Sequence, residues 1–89
     1  MRCVISVLGK DQSGIVAEIA NVLANCQANI DDISQTILDG VFSMTMLVTL
    51  DVECASFNEV QTRLADVAEQ KKVQITLQRQ DVFDYMYTI

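Results

Sequence analysis

The sequence contains no histidine and no proline, and it has only three glycines, five aromatics and six basic residues among its 89. Without histidine, the side chain used most often as a general base near neutral pH is missing, as is the most frequent zinc ligand. No metal, no cofactor and no catalytic residue is expected: no nucleophile is paired with a base, and the chain is not read as an enzyme. Without proline, a Gly/Ser linker or a low-complexity block, nothing marks an internal boundary, so residues 1–89 are read as one domain. Positive charge is scarce as well. Twelve acids against six bases leave a net charge of −6, and the bases (Arg2, Lys10, Arg63, Lys71, Lys72, Arg79) are scattered along the chain. Direct nucleic-acid binding needs a clustered positive surface that displaces counterions, and it is not expected here.

Long apolar runs are absent too. No uninterrupted stretch approaches the roughly 20 residues that span a bilayer, and no basic leader precedes an apolar core, so a soluble, unprocessed protein without a membrane partner is expected. Cys3, Cys26 and Cys54 are odd in number and far apart, and they form neither a CxxC pair nor a disulfide framework. A reducing cytoplasm suits them, with packing or incidental exposure as their role.

What is present is a pattern used twice. Cys3, Ile5 and Val7 alternate with Val4 and Leu8, so the first strand is apolar on both sides, as a central strand would be. Ile15, Ile19, Val22, Leu23 and Cys26 then recur at helical spacing, with Ser13 as N-cap and Gly14 entering the first turn. Residues 29–38 read as a mixed strand, and Asp39-Gly40 signals a type I′ hairpin. Phe42, Met44, Met46, Val48 and Leu50 share one face of the next strand. Ser56 and Glu59 form a capping box ahead of a helix that buries Phe57, Val60, Leu64, Val67 and Ala68. Lys71 and Lys72 complement the negative end of that helix, and Val73, Ile75 and Leu77 alternate in a last strand.

The order is βαββαβ. Two strand-helix-strand units with right-handed crossovers interleave into an α+β, ferredoxin-like sandwich: a four-stranded antiparallel sheet with two helices on one face. The first strand is expected beside the third, with the second and fourth at the edges. Either Val4 and Leu8 or Cys3, Ile5 and Val7 then lie on the uncovered side, with Leu47 or the Met44/Met46 row, and a partner chain is expected to cover them. The tail DVFDYMYTI carries three of the five aromatics and is read as a short C-terminal helix. Asp81 caps it and Val82, Met86 and Ile89 share one side, so that it docks either on its own edge strand or at a dimer interface.

The loop GKDQSG, Gly9 to Gly14, has neither the order of a Walker loop nor the GxG of a dinucleotide motif. Its glycines allow a tight turn and close approach to the backbone, and the following helix directs free N–H groups into it, a setting that attracts a carboxylate. Asp11 either satisfies those donors itself or receives the ammonium group of a ligand; the alternative is a plain capped turn. Asp31 and Asp32 face opposite ways and are read as an edge-strand charge pair rather than a chelate.

The strand, GKDQSGI, the helix, ANIDDISQT, the hairpin and the Met-rich strand together resemble an ACT domain over almost the whole chain. The closing aromatic-Met tail is similar to that of small stand-alone bacterial proteins made of a single ACT domain. A more distant likeness is to the first half of the glycine cleavage system transcriptional repressor. The resemblance implies a regulatory module that pairs side by side and binds a small amino acid or related metabolite between chains. It points to Asp11, Gly14 and Ile15 as ligand contacts, to Gly9 and Ser13 as residues that shape the loop, and to Asn29 and Ile30 at the start of a neighbour's second strand. The leading expectation is a non-catalytic homodimeric sensor that signals to a regulated protein partner. The alternative is a structural or protein-interaction domain with a vestigial pocket.

Overall fold

A computed structural model of the protein describes residues 1–10 and 14–87. Among them the order is β1 (Arg2–Lys10), α1 (Ile15–Asn25), β2 (Asn29–Leu38), β3 (Val41–Thr49), α2 (Phe57–Lys71), β4 (Gln74–Arg79) and α3 (Gln80–Tyr87). All strand pairs are antiparallel and the sheet order is β2-β3-β1-β4. This is the ferredoxin-like sandwich expected, with β1 central beside β3 and with β2 and β4 at the edges.

The alternation of β3 decides which side faces the helices. Phe42, Met44, Met46 and Val48 are buried in one cluster with Cys3, Ile5 and Val7 of β1, Ile15, Ile19 and Leu23 of α1, and Val60, Leu64 and Val67 of α2. Each large apolar side chain fully withdrawn from water contributes roughly 1.5–3 kcal/mol, so this layer provides most of the cohesion. The hairpin behind it is sharp because Asp39 and Gly40 both have positive φ, 53° and 79°, as a type I′ turn requires. Helix α2 begins where Ser56 Oγ accepts from the Glu59 amide at 3.1 Å. The Glu59 carboxylate also accepts from Arg63, one turn on, at 3.3 Å.

Two local features differ from the sequence-based reading. Helix α1 starts one residue later, and its N-cap is Gly14, whose φ of 89° is left-handed and suits a residue without Cβ. Ser13, the expected cap, lies outside the described residues. The second difference is a bulge in β2: the register with β3 shifts between Ile30 and Asp32, so that Asp31 is the extra residue.

The face away from α1 and α2 carries Val4, Leu8 and Leu47, the first of the two arrangements expected. It is less apolar than anticipated. Register places Ser34, Thr45, Ser6 and Thr76 in one row across all four strands, with Thr36, Ser43, Leu8 and Gln74 in the next. Helix α3 packs against β1 and β4 and covers one end of this face, which leaves Val4 2% exposed and Leu8 49%. Of the side expected of α3, Val82 is exposed, whereas Ile89 and the side chain of Met86 lie outside the described residues.

Candidate functional site

Strand β1 carries the chain to the suspected corner, and two glycines shape it for different reasons. Gly9 sits under the α2–β4 turn: a Cβ there would come within 2.6 Å of Val73 Cγ1, so the absence of a side chain is what lets the turn close onto β1. Gly14 supplies the left-handed cap, and its carbonyl accepts from the Glu18 amide at 2.9 Å. The amides of the first turn beyond it have no partner within the helix, the kind of setting that attracts a carboxylate. Ile15 is buried in the core, and only its backbone can face a ligand. Asp11 lies outside the described residues, like Ser13.

Asn29 and Ile30 are elsewhere. Asn29 pairs with Thr49, and Thr49 pairs with Arg2, the residue at which β1 begins. Gly9 is at the other end of the same strand, about 25 Å away at the rise of an extended chain. One chain therefore brings Gly9, Gly14 and Ile15 together and leaves Asn29 and Ile30 at the opposite end of the sheet.

That opposite end is organised around the bulge residue. The Asp31 carboxylate accepts from Thr49 Oγ1 and from Asn29 Nδ2, both at 2.6 Å, with Arg2 at 3.9 Å. The Thr49 bond first, then the Asn29 bond and the Arg2 charge, hold its pKa below the ordinary aspartate value. Asp32 instead accepts from the Ile33 amide at 2.8 Å, so the two carboxylates have separate duties.

The cysteines offer little chemistry. Cys3 and Cys26 are buried, and burial pushes the Cys3 thiol up. Cys54 is exposed, but its Sγ has two acceptors within reach of its single proton, Asp51 Oδ2 at 3.3 Å and Gln27 Oε1 at 3.2 Å. The bond to Asp51 raises its pKa and suppresses the thiolate that a nucleophile would need. Among the described residues no cluster of three or more His, Cys, Asp or Glu is placed to hold a metal, and no helix is long and apolar enough to cross a membrane.

Sequence reasoning missed the basic side of the corner. The α2–β4 turn brings Lys72, Val73 and Gln74 beside Leu8, Gly9 and Lys10 around an open cleft of about 580 Å³. Lys71 Nζ lies 3.6 Å from the position a Cβ on Gly14 would take. From the sequence alone the Lys71-Lys72 pair reads only as a complement to the helix dipole. Its meeting with Lys10 depends on a contact between residues more than sixty positions apart.

The architecture has close counterparts. A UPF0237 protein of Listeria innocua is 43% identical over 89 residues, covering 100% of each chain. The solved structure of an ACT domain protein from Streptococcus pneumoniae superposes with a TM-score of 0.80 at 39% identity, covering 98% of both chains. A putative glycine cleavage system transcriptional repressor shares the fold at a TM-score of 0.77 and 22% identity, over 86% of this chain and 44% of that one. Residues 2–78 match the ACT domain model, and the chain therefore belongs to the ACT domain family, whose members are in general regulatory small-molecule-binding modules.

Proposed function

We propose that the chain is a non-catalytic, single-domain sensor that acts as a homodimer, binds a small amino acid or similar metabolite between two copies, and passes its occupancy to a partner protein. The observation that carries this reading is the state of β2. All ten of its residues are exposed, and its helix-side positions Ile30, Ile33 and Ile37 lie bare at 39, 39 and 58% exposure. An unpaired edge of this length with an apolar row is a liability unless another strand covers it.

A second copy covers it well. Antiparallel pairing of β2 with the partner's β2 about a two-fold axis keeps the acidic starts of the two strands, each with Asp31 and Asp32, at opposite ends. It also carries the partner's Asn29 and Ile30 toward the end where this chain holds Gly9 and Gly14. A site divided in one chain then closes across two. The first-turn amides of α1 take the ligand carboxylate, Gly14 leaves room for it, and the partner's strand supplies the facing wall.

A small amino acid reaches millimolar to micromolar affinity, about 4 to 8 kcal/mol. Titration calorimetry of the full chain with the twenty amino acids tests the reading, with sedimentation run on the same samples. Saturable heat from at least one of them and a dimer mass are expected. Silence from all twenty would remove the sensor function and favour a purely structural or interaction role.

A further inference from the structure

The six basic residues divide cleanly. Arg2, Arg63 and Arg79 each form an ion pair, with Asp31 at 3.9 Å, Glu59 at 3.3 Å and Asp81 at 3.0 Å. Among the described residues, Lys10, Lys71 and Lys72 form none, although the chain carries twice as many acids as bases. These three lysines are not dispersed. Lys10 and Lys72 line the same cleft of about 580 Å³, and Lys71 Nζ stands over Gly14 at the loop beside it.

The macrodipole of α2 explains only part of this. Its carboxyl end carries about half an elementary negative charge, and the amino end of α1 brings a similar positive charge to the same corner, so the two offset one another. Lys10 belongs to a strand and has no dipole to complement. Lys72 holds a left-handed backbone, φ 57°, at a helix C-cap where glycine or asparagine is the usual choice, so a long cationic side chain is kept there despite the strain. Gly9 admits Val73, and that contact holds the Lys72 turn against Lys10.

We infer that the cleft between Lys10 and Lys72, with Lys71 at its rim, binds the phosphate group of a small phosphorylated metabolite. Three ammonium groups and no guanidinium suit a compact polyanion approached by point charges rather than a planar carboxylate gripped by a fork. The Gln74 amide offers neutral hydrogen bonds at the wall, while Leu8 and Val73 supply apolar surface for the rest of the ligand. The cleft volume falls in the range of small-molecule sites. This goes beyond the amino-acid reading, since Leu8, Lys72 and Gln74 take no part in that site.

The test is a titration of the full chain, at constant ionic strength, with inorganic pyrophosphate, inorganic phosphate and malonate, followed by amide NMR. Saturable shifts from pyrophosphate centred on Gly9, Lys10 and Lys72 to Gln74 are expected. The Lys10→Gln/Lys72→Gln variant should keep a folded spectrum and lose affinity by at least about tenfold. Three outcomes overturn the inference: shifts that do not saturate, shifts spread equally over Arg63 and Arg79, or malonate binding as tightly as pyrophosphate. A parallel titration with the twenty amino acids separates the two readings, because pyrophosphate binding without any amino-acid response sinks the earlier proposal and leaves this one standing.

Discussion

Gly9 and Gly14 both look like turn residues in the sequence, yet substitution separates them. At Gly14 the added Cβ would meet, among the described residues, only the flexible end of Lys71, 3.6 Å away, so the cost of Gly14→Ala is that of the left-handed backbone, about 1 to 2 kcal/mol. At Gly9 the obstacle is Val73, and Gly9→Ala should destabilise by about 1 to 3 kcal/mol through overpacking. Urea denaturation of Gly9→Ala, Val73→Ala and the double variant tests the difference. The double variant should be more stable than the sum of the single losses predicts, whereas Gly14→Ala should show no such coupling to Val73. The loop was legible as a corner because glycine spacing is local information; which glycine was steric and which conformational was not, because Val73 arrives from the other end of the chain. Asp31 makes the same point for charge. Its pKa is lowered in the folded state, so its bonds to Thr49 and Asn29 contribute fully above the ordinary aspartate value and are lost as pH falls through the depressed one. In denaturation curves recorded from neutral to strongly acidic pH, Asp31→Asn should flatten the acid-side decline of stability. An unchanged slope would mean that the carboxylate is equally free in both states.

Elements announced by a period were readable, and those set by a distant partner were not. The strict alternation of β3, the Asp39-Gly40 turn and the Ser56 cap each rest on residues within a few positions of one another, and all three occur in the structure. Removing the cap hydroxyl by Ser56→Ala should cost about 1 kcal/mol, measured as a lower urea midpoint with an unchanged slope, because it leaves one first-turn donor of α2 unpaired. The β2 bulge had no comparable signature. It is stabilised by a hydrogen bond from Thr49 to Asp31 across 18 positions, which the DD pair in the sequence does not encode. The same limitation applied to the two faces of β1: its double apolarity said that the strand was central, and only the register with β3 assigned Cys3, Ile5 and Val7 to the helices.

At the scale of the whole molecule, the question is where the proposed association would supplement the small core of an 89-residue chain. The open sheet face was the expected answer, but α3 shields Val4 and the rows beyond it consist mostly of Ser, Thr and Gln, which water solvates adequately. Among the exposed aliphatic positions, Ile30, Ile33 and Ile37 line the helix side of edge strand β2, whereas Leu38 and Val41 join Leu8 at the hairpin end of the open face. Antiparallel pairing of two such strands places Ile37 near the partner's acidic start, so Ile37→Asp introduces both an apolar loss and a like-charge contact at one stroke. Sedimentation equilibrium should show the dimer of the Ile37→Asp variant weakened by at least about tenfold, while its monomer unfolds at nearly the native urea concentration because the position is already solvated in one chain. Leu8→Ser, at the bare end of the open face, should leave the mass unchanged. The opposite result, a monomer from Leu8→Ser and an intact dimer from Ile37→Asp, would transfer the interface to the open face and separate the two ends of the proposed amino-acid site for good.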